Sequence, residues 1–305
     1  MMNMTRLHGL VAATHTPFNL DGSLNLAIVE KQAAHLLAGQ VKFAFIGGTT
    51  GECSSLTLEE RRALAQHWFE VVRRSELKLV VHVGSNCLAD ARTLAKQAQA
   101  LGAVAISALA PSYFKPRDVE TLITCCVDIA AAAPETPFYY YDIPALTGVN
   151  LSMPEFLALA PARIPTLAGL KFTNPDLMAY QFCLRANGGR WDLPFGFDEH
   201  FLGALSMGAK GAVGSGFNFA APIYQRLLKA FAAGDLELAR AEQFRGVQLI
   251  QLLASCGYMG AAKAVMQMLG VDVGPARLPN TNLSPEQVKE MRGKLEALKF
   301  FEWIK

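Results

Sequence analysis

The chain alternates short apolar runs that have a β-strand character with longer amphipathic stretches that have a helical period. Eight of the short runs predict strands, at residues 9–13, 43–47, 79–83, 103–108, 137–141, 168–172, 193–197 and 211–214. Eight strand–helix units within residues 1–233 match a (β/α)8 barrel in number and in size. A doubly wound open sheet is the structural alternative, because periodicity alone does not show that a sheet closes.

After the eighth unit the sequence carries helical patterns only, at residues 236–254, 260–269 and 284–300. No Gly/Ser-rich linker separates these helices from the preceding units, so we expect them to pack against the barrel. The predicted organisation is an α/β (β/α)8 TIM barrel at residues 1–233 and a C-terminal helical extension at residues 234–305.

The composition argues against several classes of function. The formal net charge of +2 offers no basic surplus of the kind that binds nucleic acid. Residues 1–10 lack the apolar centre of a signal peptide, and no uncharged apolar run reaches the roughly 18 residues of a membrane span. The six cysteines form no C-x-x-C pair and the six histidines no H-x-x-x-H spacing. We therefore expect a cytoplasmic protein with free thiols and with no metal, nucleic-acid or membrane partner.

A lysine lies near the end of one of the predicted strands. Lys171 follows the apolar run at residues 167–170. Because a buried ammonium group is costly, this amine must find partners or lose its proton. A neutral lysine amine is a nucleophile that forms Schiff bases with ketones. The alternative is a lysine whose charged end reaches solvent from the end of the strand.

A tyrosine ends the preceding predicted strand, thirty residues before Lys171. Side chains alternate along a strand, so Tyr139 and Tyr141 share one face and Tyr140 takes the other. If the faces of the two strands align, Tyr141 meets Lys171 in the mouth of the barrel, where a phenol carries protons beside an amine. Packing is the commoner role of an aromatic residue at a strand end, and only Lys171 favours catalysis here. Gly169 shares the face of Lys171 and predicts free space beside the amine. The pair suggests the carbonyl chemistry of a class I aldolase.

Residues 47–52, with the sequence G-G-T-T-G-E, follow the second predicted strand. Glycines allow a tight turn that exposes backbone N–H groups, and the hydroxyls of Thr49 and Thr50 add further donors. The turn lacks the Lys-Ser/Thr ending of a Walker loop, so a carboxylate fits it better than a polyphosphate. The alternative is a plain glycine turn with a capping threonine.

Two further turns carry polar groups near the ends of predicted strands. Asp198 and Glu199 follow the seventh strand, where they either hold the hydroxyls of a polyol or cap the next helix. Ser215 follows the eighth strand, in a turn of small residues that admits a ligand close to the backbone. Nearly all these groups lie where strands end and βα loops begin, which is the rim on which catalytic groups of such barrels collect.

These residues, in this order, resemble the dihydrodipicolinate synthase/N-acetylneuraminate lyase family of pyruvate-dependent class I aldolases. The resemblance covers essentially the whole chain. It is carried by G-T-T-G-E at 48–52, the tyrosine before I-P at 143–144, K-F-T at 171–173, G-F-D-E at 196–199 and G-A-V-G-S at 211–215. Residues 263–266 and 274–279 also look like the helical tail of the family.

Within the family, residues 141–148 resemble the members that cleave N-acetylneuraminate. Dihydrodipicolinate synthases typically carry an arginine two residues after the proline, where Leu146 stands here. The resemblance implies reversible cleavage of N-acetylneuraminate, a sialic acid, to N-acetylmannosamine and pyruvate, without a cofactor. The chain departs from the common family pattern at Asp142 and at Gly216. These two differences make the sugar preference harder to predict, but they do not change the expected reaction.

The resemblance also implies a role for each candidate residue. Lys171 would form the Schiff base and Tyr141 would relay the proton. The substrate-binding residues would be Thr49 and Thr50 for the carboxylate, Thr173 for the C4 hydroxyl, and Gly196, Asp198, Glu199 and Ser215 for the sugar chain. Tyr113 matches a family tyrosine near a subunit interface, which implies a homo-oligomer, commonly a homotetramer.

Two other functions stay open from the sequence. One is an aldolase of the same family that acts on a 2-keto-3-deoxy sugar acid, since neither Thr173 nor the two acidic residues exclude it. The other is a non-catalytic small-molecule sensor that kept the barrel, which would bind pyruvate or sialate without turnover. Intact Lys171 and Tyr141 argue against the sensor.

Overall fold

Seven parallel strands form the centre of the structure, a computed structural model that describes residues 5–305. Their bounds are β1 Gly9–Ala13, β2 Phe43–Ile46, β3 Lys78–His82, β4 Ala105–Leu109, β5 Phe138–Asp142, β6 Leu167–Phe172 and β7 Gly211–Gly214. The order across the sheet is β6-β5-β4-β3-β2-β1-β7, with every neighbouring pair parallel. The sheet therefore runs almost fully around a barrel and leaves one gap, between β6 and β7.

Residues 192–196 fill that gap. On one side, the backbone N–H groups of Leu170 and Phe172 donate to the carbonyls of Asp192 and Pro194, at 3.1 and 3.0 Å. On the other side, Phe195 N–H donates to the Gly211 carbonyl at 3.0 Å. The predicted barrel is confirmed, and the open-sheet alternative is wrong.

The prediction of a regular seventh strand at residues 193–197 is also wrong. The segment forms isolated parallel bridges, at Asp192 and Phe195, in place of a continuous strand. Pro194 has no N–H to donate, so the hydrogen-bond ladder is interrupted in the middle of the segment. The free space predicted beside Gly169 is not found either, because a Cβ there would overlap the carbonyl of Asp192. The missing side chain lets this bridging segment approach β6.

Helices cover the outside of the barrel. Their bounds are α1 Val29–Ala38, α2 Leu58–Val72, α3 Leu88–Leu101, α4 Val119–Ala130, α5 Pro144–Thr147, α6 Met153–Leu159, α7 Leu177–Arg185, α8 Phe201–Met207 and α9 Ala221–Ala232. Local sequence fixes several helix starts. Thr57 and Glu60 form a capping box at α2, and Ser152 accepts from Glu155 N–H at α6. Each cap satisfies N–H groups that have no partner within the helix.

Four more helices form the C-terminal extension: α10 Leu236–Ser255, α11 Tyr258–Met268, α12 Pro285–Ala297 and α13 Phe300–Trp303. Arg226 of α9 holds the extension by donating to Glu242 of α10 at 3.0 Å and to the Trp303 carbonyl at 2.7 Å. The division into domains at residue 233 stays a prediction. In residues 5–305 no single helix has the length and hydropathy to cross a membrane, and α10 with α11, bent by 116°, passes that test only as a pair.

The buried apolar residues form two layers that the strand alternation separates. Val11, Phe45, Tyr139 and Tyr141 belong to the cluster inside the barrel. Tyr140 belongs to the larger cluster between the strands and the helices. The predicted alternation of the three tyrosines is therefore confirmed, and it places Tyr141 in the barrel interior.

Candidate active site

Lys171 and Tyr141 are direct neighbours inside the mouth of the barrel. The register of β5 and β6 pairs their Cα atoms. Lys171 Nζ lies 3.8 Å from the centroid of the Tyr141 ring and 4.3 Å from the centroid of the Phe45 ring. The lysine is only 4% exposed, so the alternative of a lysine that extends to solvent is wrong. The predicted meeting of amine and phenol is confirmed.

The surroundings of Lys171 favour its neutral amine. Burial lowers its pKa from 10.5 to about 7, because a charged ammonium loses its hydration inside the barrel. The negative charge of Asp198 acts in the opposite direction and prevents a further fall. At neutral pH a large fraction of the amine is therefore unprotonated and able to attack a carbonyl carbon.

Tyr141 holds its proton. Burial raises the pKa of its phenol to about 12, and a hydrogen bond with the Thr49 hydroxyl, at 3.2 Å, limits the rise. The rings of Phe45 and His82 meet the Tyr141 ring edge-on, with centroids 5.9 Å away in both cases. Such edge-to-face contacts are favourable and fix the direction of the phenol. The group is positioned as a proton donor and carries no standing negative charge.

The G-G-T-T-G-E turn lies beside this pair. Glu52 N–H donates to the Thr49 carbonyl at 2.9 Å, and the Thr16 hydroxyl donates to the Gly51 carbonyl at 2.6 Å. Thr49 and Thr50 stay half-buried at the open side of the turn. The capping residue of the following helix is Thr57, and the choice between an anion site and a plain glycine turn stays open at this point.

Thr173 and Gly196 meet near the phenol of Tyr141. The hydroxyl oxygen of Thr173 is buried and makes no hydrogen bond of good geometry within residues 5–305, although it lies near enough to the Tyr141 phenol to help limit the rise of its pKa. A Cβ at Gly196 would overlap that oxygen, so only glycine allows the two segments to come this close. The Thr173 hydroxyl is therefore available to a ligand inside the barrel mouth.

Asp198 lies against the glycine turn after β7. Its Oδ2 accepts from Gly216 N–H at 2.6 Å, and a Cβ at Gly214 would come within 2.9 Å of its Cγ. Asp198 makes no capping hydrogen bond to the next helix, so the cap alternative is wrong. Burial, with the neighbouring charge of Glu199, raises the pKa of Asp198 to about 7. A buried carboxyl group of this kind accepts hydrogen bonds from ligand hydroxyls readily.

Two residues of the extension reach this side of the rim, and the sequence did not reveal either of them. Tyr258, the first residue of α11, shares a 2.6 Å hydrogen bond with the Ser215 hydroxyl. Gln243 of α10 donates to the Asp198 carbonyl at 3.1 Å. Both positions depend on how the extension packs, and neither has a local signal in the sequence.

His82 was missed as a neighbour of the cluster, although a signal for it existed. It ends β3 and shares the inward face of Val80. Its Nδ1 lies 3.0 Å from the Gly47 carbonyl oxygen and 3.3 Å from Arg61 Nη2. Burial, with the charges of Arg61 and Lys171, holds the pKa of His82 well below its usual range, so the ring is neutral. The ring ties the glycine turn to β3.

Tyr113 lies apart from the cluster. Its backbone N–H donates to Asn86 Oδ1 at 3.1 Å, while its side chain is 79% exposed and packs edge-on against Phe114 with the ring centroids 5.0 Å apart. The structure of one chain does not bring this residue to Lys171.

The arrangement combines the parts that Schiff-base chemistry needs. Lys171 is a buried amine able to act as a nucleophile, Tyr141 is a phenol able to donate a proton, and the hydroxyls of Thr49 and Thr50 are donors able to hold an anion. Within residues 5–305, no group of three or more His, Cys, Asp or Glu side chains is placed to hold a metal ion.

The sequence and the fold have close counterparts among known proteins. Residues 6–298 match the dihydrodipicolinate synthetase family. The chain is 38% identical to N-acetylneuraminate lyase of Gallus gallus over 297 residues, with 96% of each chain covered. It is 38% identical to the enzyme of that name from Homo sapiens over 302 residues, with 98% of this chain and 94% of the other covered.

Solved structures agree. N-acetylneuraminate lyase from Aliivibrio salmonicida matches with a TM-score of 0.94 and 42% identity over 97% of this chain and 98% of that one. The lyase from Proteus mirabilis matches with a TM-score of 0.94 and 39% identity over 97% and 100%. The chain belongs to the dihydrodipicolinate synthetase family.

Proposed function

We propose that the protein is a Schiff-base aldolase that reversibly cleaves N-acetylneuraminate to N-acetylmannosamine and pyruvate. The observation that carries the proposal is the buried Lys171 amine, with a pKa near 7, which lies 3.8 Å from the Tyr141 ring centroid. The choice of substrate is supported by relatives named N-acetylneuraminate lyase at 38–42% identity over nearly the full length.

The reaction begins at the ketone. The neutral amine of Lys171 attacks C2 of the open-chain substrate to give a carbinolamine, which takes up one proton from solvent as it loses water and becomes a protonated imine. The substrate carboxylate binds in the glycine turn, where Thr49 and Thr50 offer hydroxyl and backbone donors. The imine nitrogen is then ready to take up the electron pair of the bond that breaks.

Cleavage of the C3–C4 bond needs the C4 hydroxyl to lose its proton. Tyr141 accepts that proton while its own passes to the substrate carboxylate, because a phenol with a pKa of about 12 is not a standing base. The electrons of the broken bond form an enamine, and C4 leaves as the aldehyde of N-acetylmannosamine. Tyr141 then relays the proton from the carboxylate to C3 of the enamine, and hydrolysis of the resulting imine releases pyruvate and restores the lysine.

The sugar lies along the other half of the rim. The buried hydroxyl of Thr173 contacts the C4 hydroxyl. The remaining sugar-binding residues are Gly196, Asp198, Glu199 and Ser215, and Tyr258 extends this set through its hydrogen bond with Ser215. These groups offer mostly acceptors, which suits a chain of hydroxyl donors.

The proposal is tested by borohydride reduction of the protein with N-acetylneuraminate, followed by peptide mass mapping. We expect a pyruvyl-sized adduct on Lys171, because imine formation and cleavage must both precede it. Pyruvate serves as the control ligand. If only pyruvate labels Lys171, the sugar is wrong and a screen of 2-keto-3-deoxy sugar acids follows. If neither ligand labels the folded protein, the Schiff-base function is refuted.

We expect Asp198→Asn to lower kcat/KM for sialate cleavage by about 10- to 100-fold at about pH 8, where most of the Asp198 carboxyl group is ionised, since hydrogen bonds to a charged acceptor contribute roughly 1.5–3 kcal/mol. The asparagine oxygen can still accept from Gly216 N–H, so the turn after β7 is preserved. Pyruvate-imine trapping should change by less than about 2-fold, because pyruvate has no sugar chain. Equal losses in the two assays would show that Asp198 supports the fold and does not contact the sugar.

We also propose that the protein forms a homotetramer. Tyr113 and Phe114 expose 79% and 85% of their surfaces, and Leu146 and Leu278 expose 64% and 83%. Large exposed apolar side chains of this kind commonly mark an association surface. The cytoplasmic location stays a prediction.

A further inference from the structure

Glu52 ends the carboxylate-binding turn in a conformation that needs support. Its backbone has φ +54°, which is the left-handed region that side chains with a Cβ avoid. Its side chain is completely buried. Strained residues of this kind persist only where the surroundings over-determine them. The contacts of its carboxylate group therefore matter for the shape of the turn.

All the partners of that carboxylate come from the C-terminal extension. Glu52 Oε1 lies 2.7 Å from Lys263 Nζ of α11. Glu52 Oε2 accepts from Arg277 N–H at 2.8 Å and from Asn280 Nδ2 at 3.2 Å. The extension therefore contacts the turn through Glu52, while Thr49 of the same turn contacts the Tyr141 hydroxyl at 3.2 Å.

Lys263 connects Glu52 to two other segments near the turn. Its side chain is 2% exposed, and its Nζ donates to the carbonyls of Thr16 and Pro275, at 3.0 and 2.8 Å. The Thr16 hydroxyl in turn donates to the Gly51 carbonyl at 2.6 Å. The Lys263 ammonium group therefore contacts the Glu52 carboxylate directly and the Gly51 carbonyl through Thr16.

We propose that the buried Glu52–Lys263 ion pair is a positioning device, through which the C-terminal extension sets the geometry of the turn that binds the substrate carboxylate. This inference rests on the proposed function, in which that turn takes the carboxylate of the keto acid. Stability alone explains the pair poorly, because an apolar pair of similar volume commonly stabilises a core as well or better. An ion pair whose members make fixed hydrogen bonds sets the orientation of the attached backbone, whereas an apolar contact does not.

The test uses variants of the full chain and borohydride trapping at Lys171. Loss of one charge leaves the other buried and unpaired, so the double variant Glu52→Gln/Lys263→Met is the main probe. Glu52→Asp is the second probe, because it keeps the charge and withdraws the carboxylate by one methylene. The matched control is Glu242→Gln, which removes a buried carboxylate of the extension that is paired with Arg226 of α9 and Arg245 of α10, away from the turn.

Two ligands separate positioning from stability: pyruvate, and its neutral ester methyl pyruvate. We expect the half-saturating pyruvate concentration to rise about 10-fold in both probes, since small displacements of binding groups have effects of this size. Trapping of methyl pyruvate should change by less than about 2-fold, because the ester has no carboxylate for the turn to hold. In the control, the ratio of the half-saturating concentrations of pyruvate and methyl pyruvate should equal that of the wild type.

A purely structural role predicts that both ligands weaken by the same factor. That result in either folded probe, or an unchanged pyruvate dependence, would overturn the inference. If the double variant does not fold, Glu52→Asp alone decides between the two outcomes. Absence of pyruvate trapping in the wild type would refute the proposed function itself, which is a separate result.

Discussion

Lys171→Met should abolish imine trapping and lower sialate cleavage by at least about 10⁴-fold, and it should also stabilise the folded protein. The loss of activity follows from the loss of the only nucleophile in the proposed mechanism. The gain in stability follows from the burial of the amine, which is 4% exposed. Methionine has a similar length and no charge, so it removes the desolvation cost without leaving a cavity.

The gain in folding stability of Lys171→Met should depend on pH in a defined direction. Burial lowers the pKa of Lys171 from 10.5 to about 7. Between pH 7 and 10.5 the unfolded chain binds this proton and the folded chain does not, so the wild type becomes more stable as the pH rises. Below pH 7 both states are protonated, and the folded state carries the whole cost of the buried charge. The advantage of methionine is therefore largest below pH 7, at most about 5 kcal/mol, and disappears near pH 10.5.

Denaturant unfolding of both proteins at pH 6 and pH 9.5, with the cleavage assay, checks this prediction. Lys42→Met is the control, because Lys42 is a lysine with a side chain that is 68% exposed. It should change neither activity nor the pH dependence of stability. Substantial cleavage by Lys171→Met would refute the Schiff-base mechanism. If Lys171→Met were less stable than the wild type at pH 6, the burial of the charged amine would not destabilise the fold, and this part of the prediction would be refuted.

The sequence predicted those parts of the site that depend on strand periodicity. Tyr139 and Tyr141 face inward and Tyr140 outward, as their alternation requires. Lys171 meets Tyr141 because consecutive parallel strands of a barrel are neighbours. Capping at Thr57 was equally local. In each case a short stretch of chain determines the direction of its own side chains.

Other features depend on contacts between segments far apart in the chain, and the sequence did not predict them. Gly169 looked like free space, whereas the carbonyl of Asp192 occupies that position. Asp198 had a local alternative as a helix cap, and only the approach of Gly216 N–H decides against it. Tyr258 and Lys263 lie on a helix whose pattern shows amphipathicity alone, so their reach to the rim appears only in the packed structure.

Tyr141→Phe should lower the rate of sialate cleavage by about 10²- to 10⁴-fold, the range for loss of a general acid–base group. Pyruvate-imine trapping should stay within about 3-fold of the wild type, because phenylalanine keeps the ring that lies 3.8 Å from Lys171 Nζ. The control is Tyr140→Phe, which removes a hydroxyl from the outward face of the same strand and should leave turnover unchanged.

The pH profile distinguishes a proton relay from a standing base. The pKa of Tyr141 is raised to about 12, so the phenol is protonated throughout the working range and its loss should lower the rate by the same factor from pH 6 to pH 9. The rise of kcat/KM with pH should follow the amine of Lys171, with a midpoint near 7, in the wild type and in Tyr141→Phe alike. A midpoint that moves in Tyr141→Phe would assign the titrating group to the phenol and refute the relay. If Tyr141→Phe retained more than about a tenth of the wild-type turnover, Tyr141 would not lie on the proton path. The proton of the C4 hydroxyl would then have to pass directly to the substrate carboxylate held by Thr49 and Thr50.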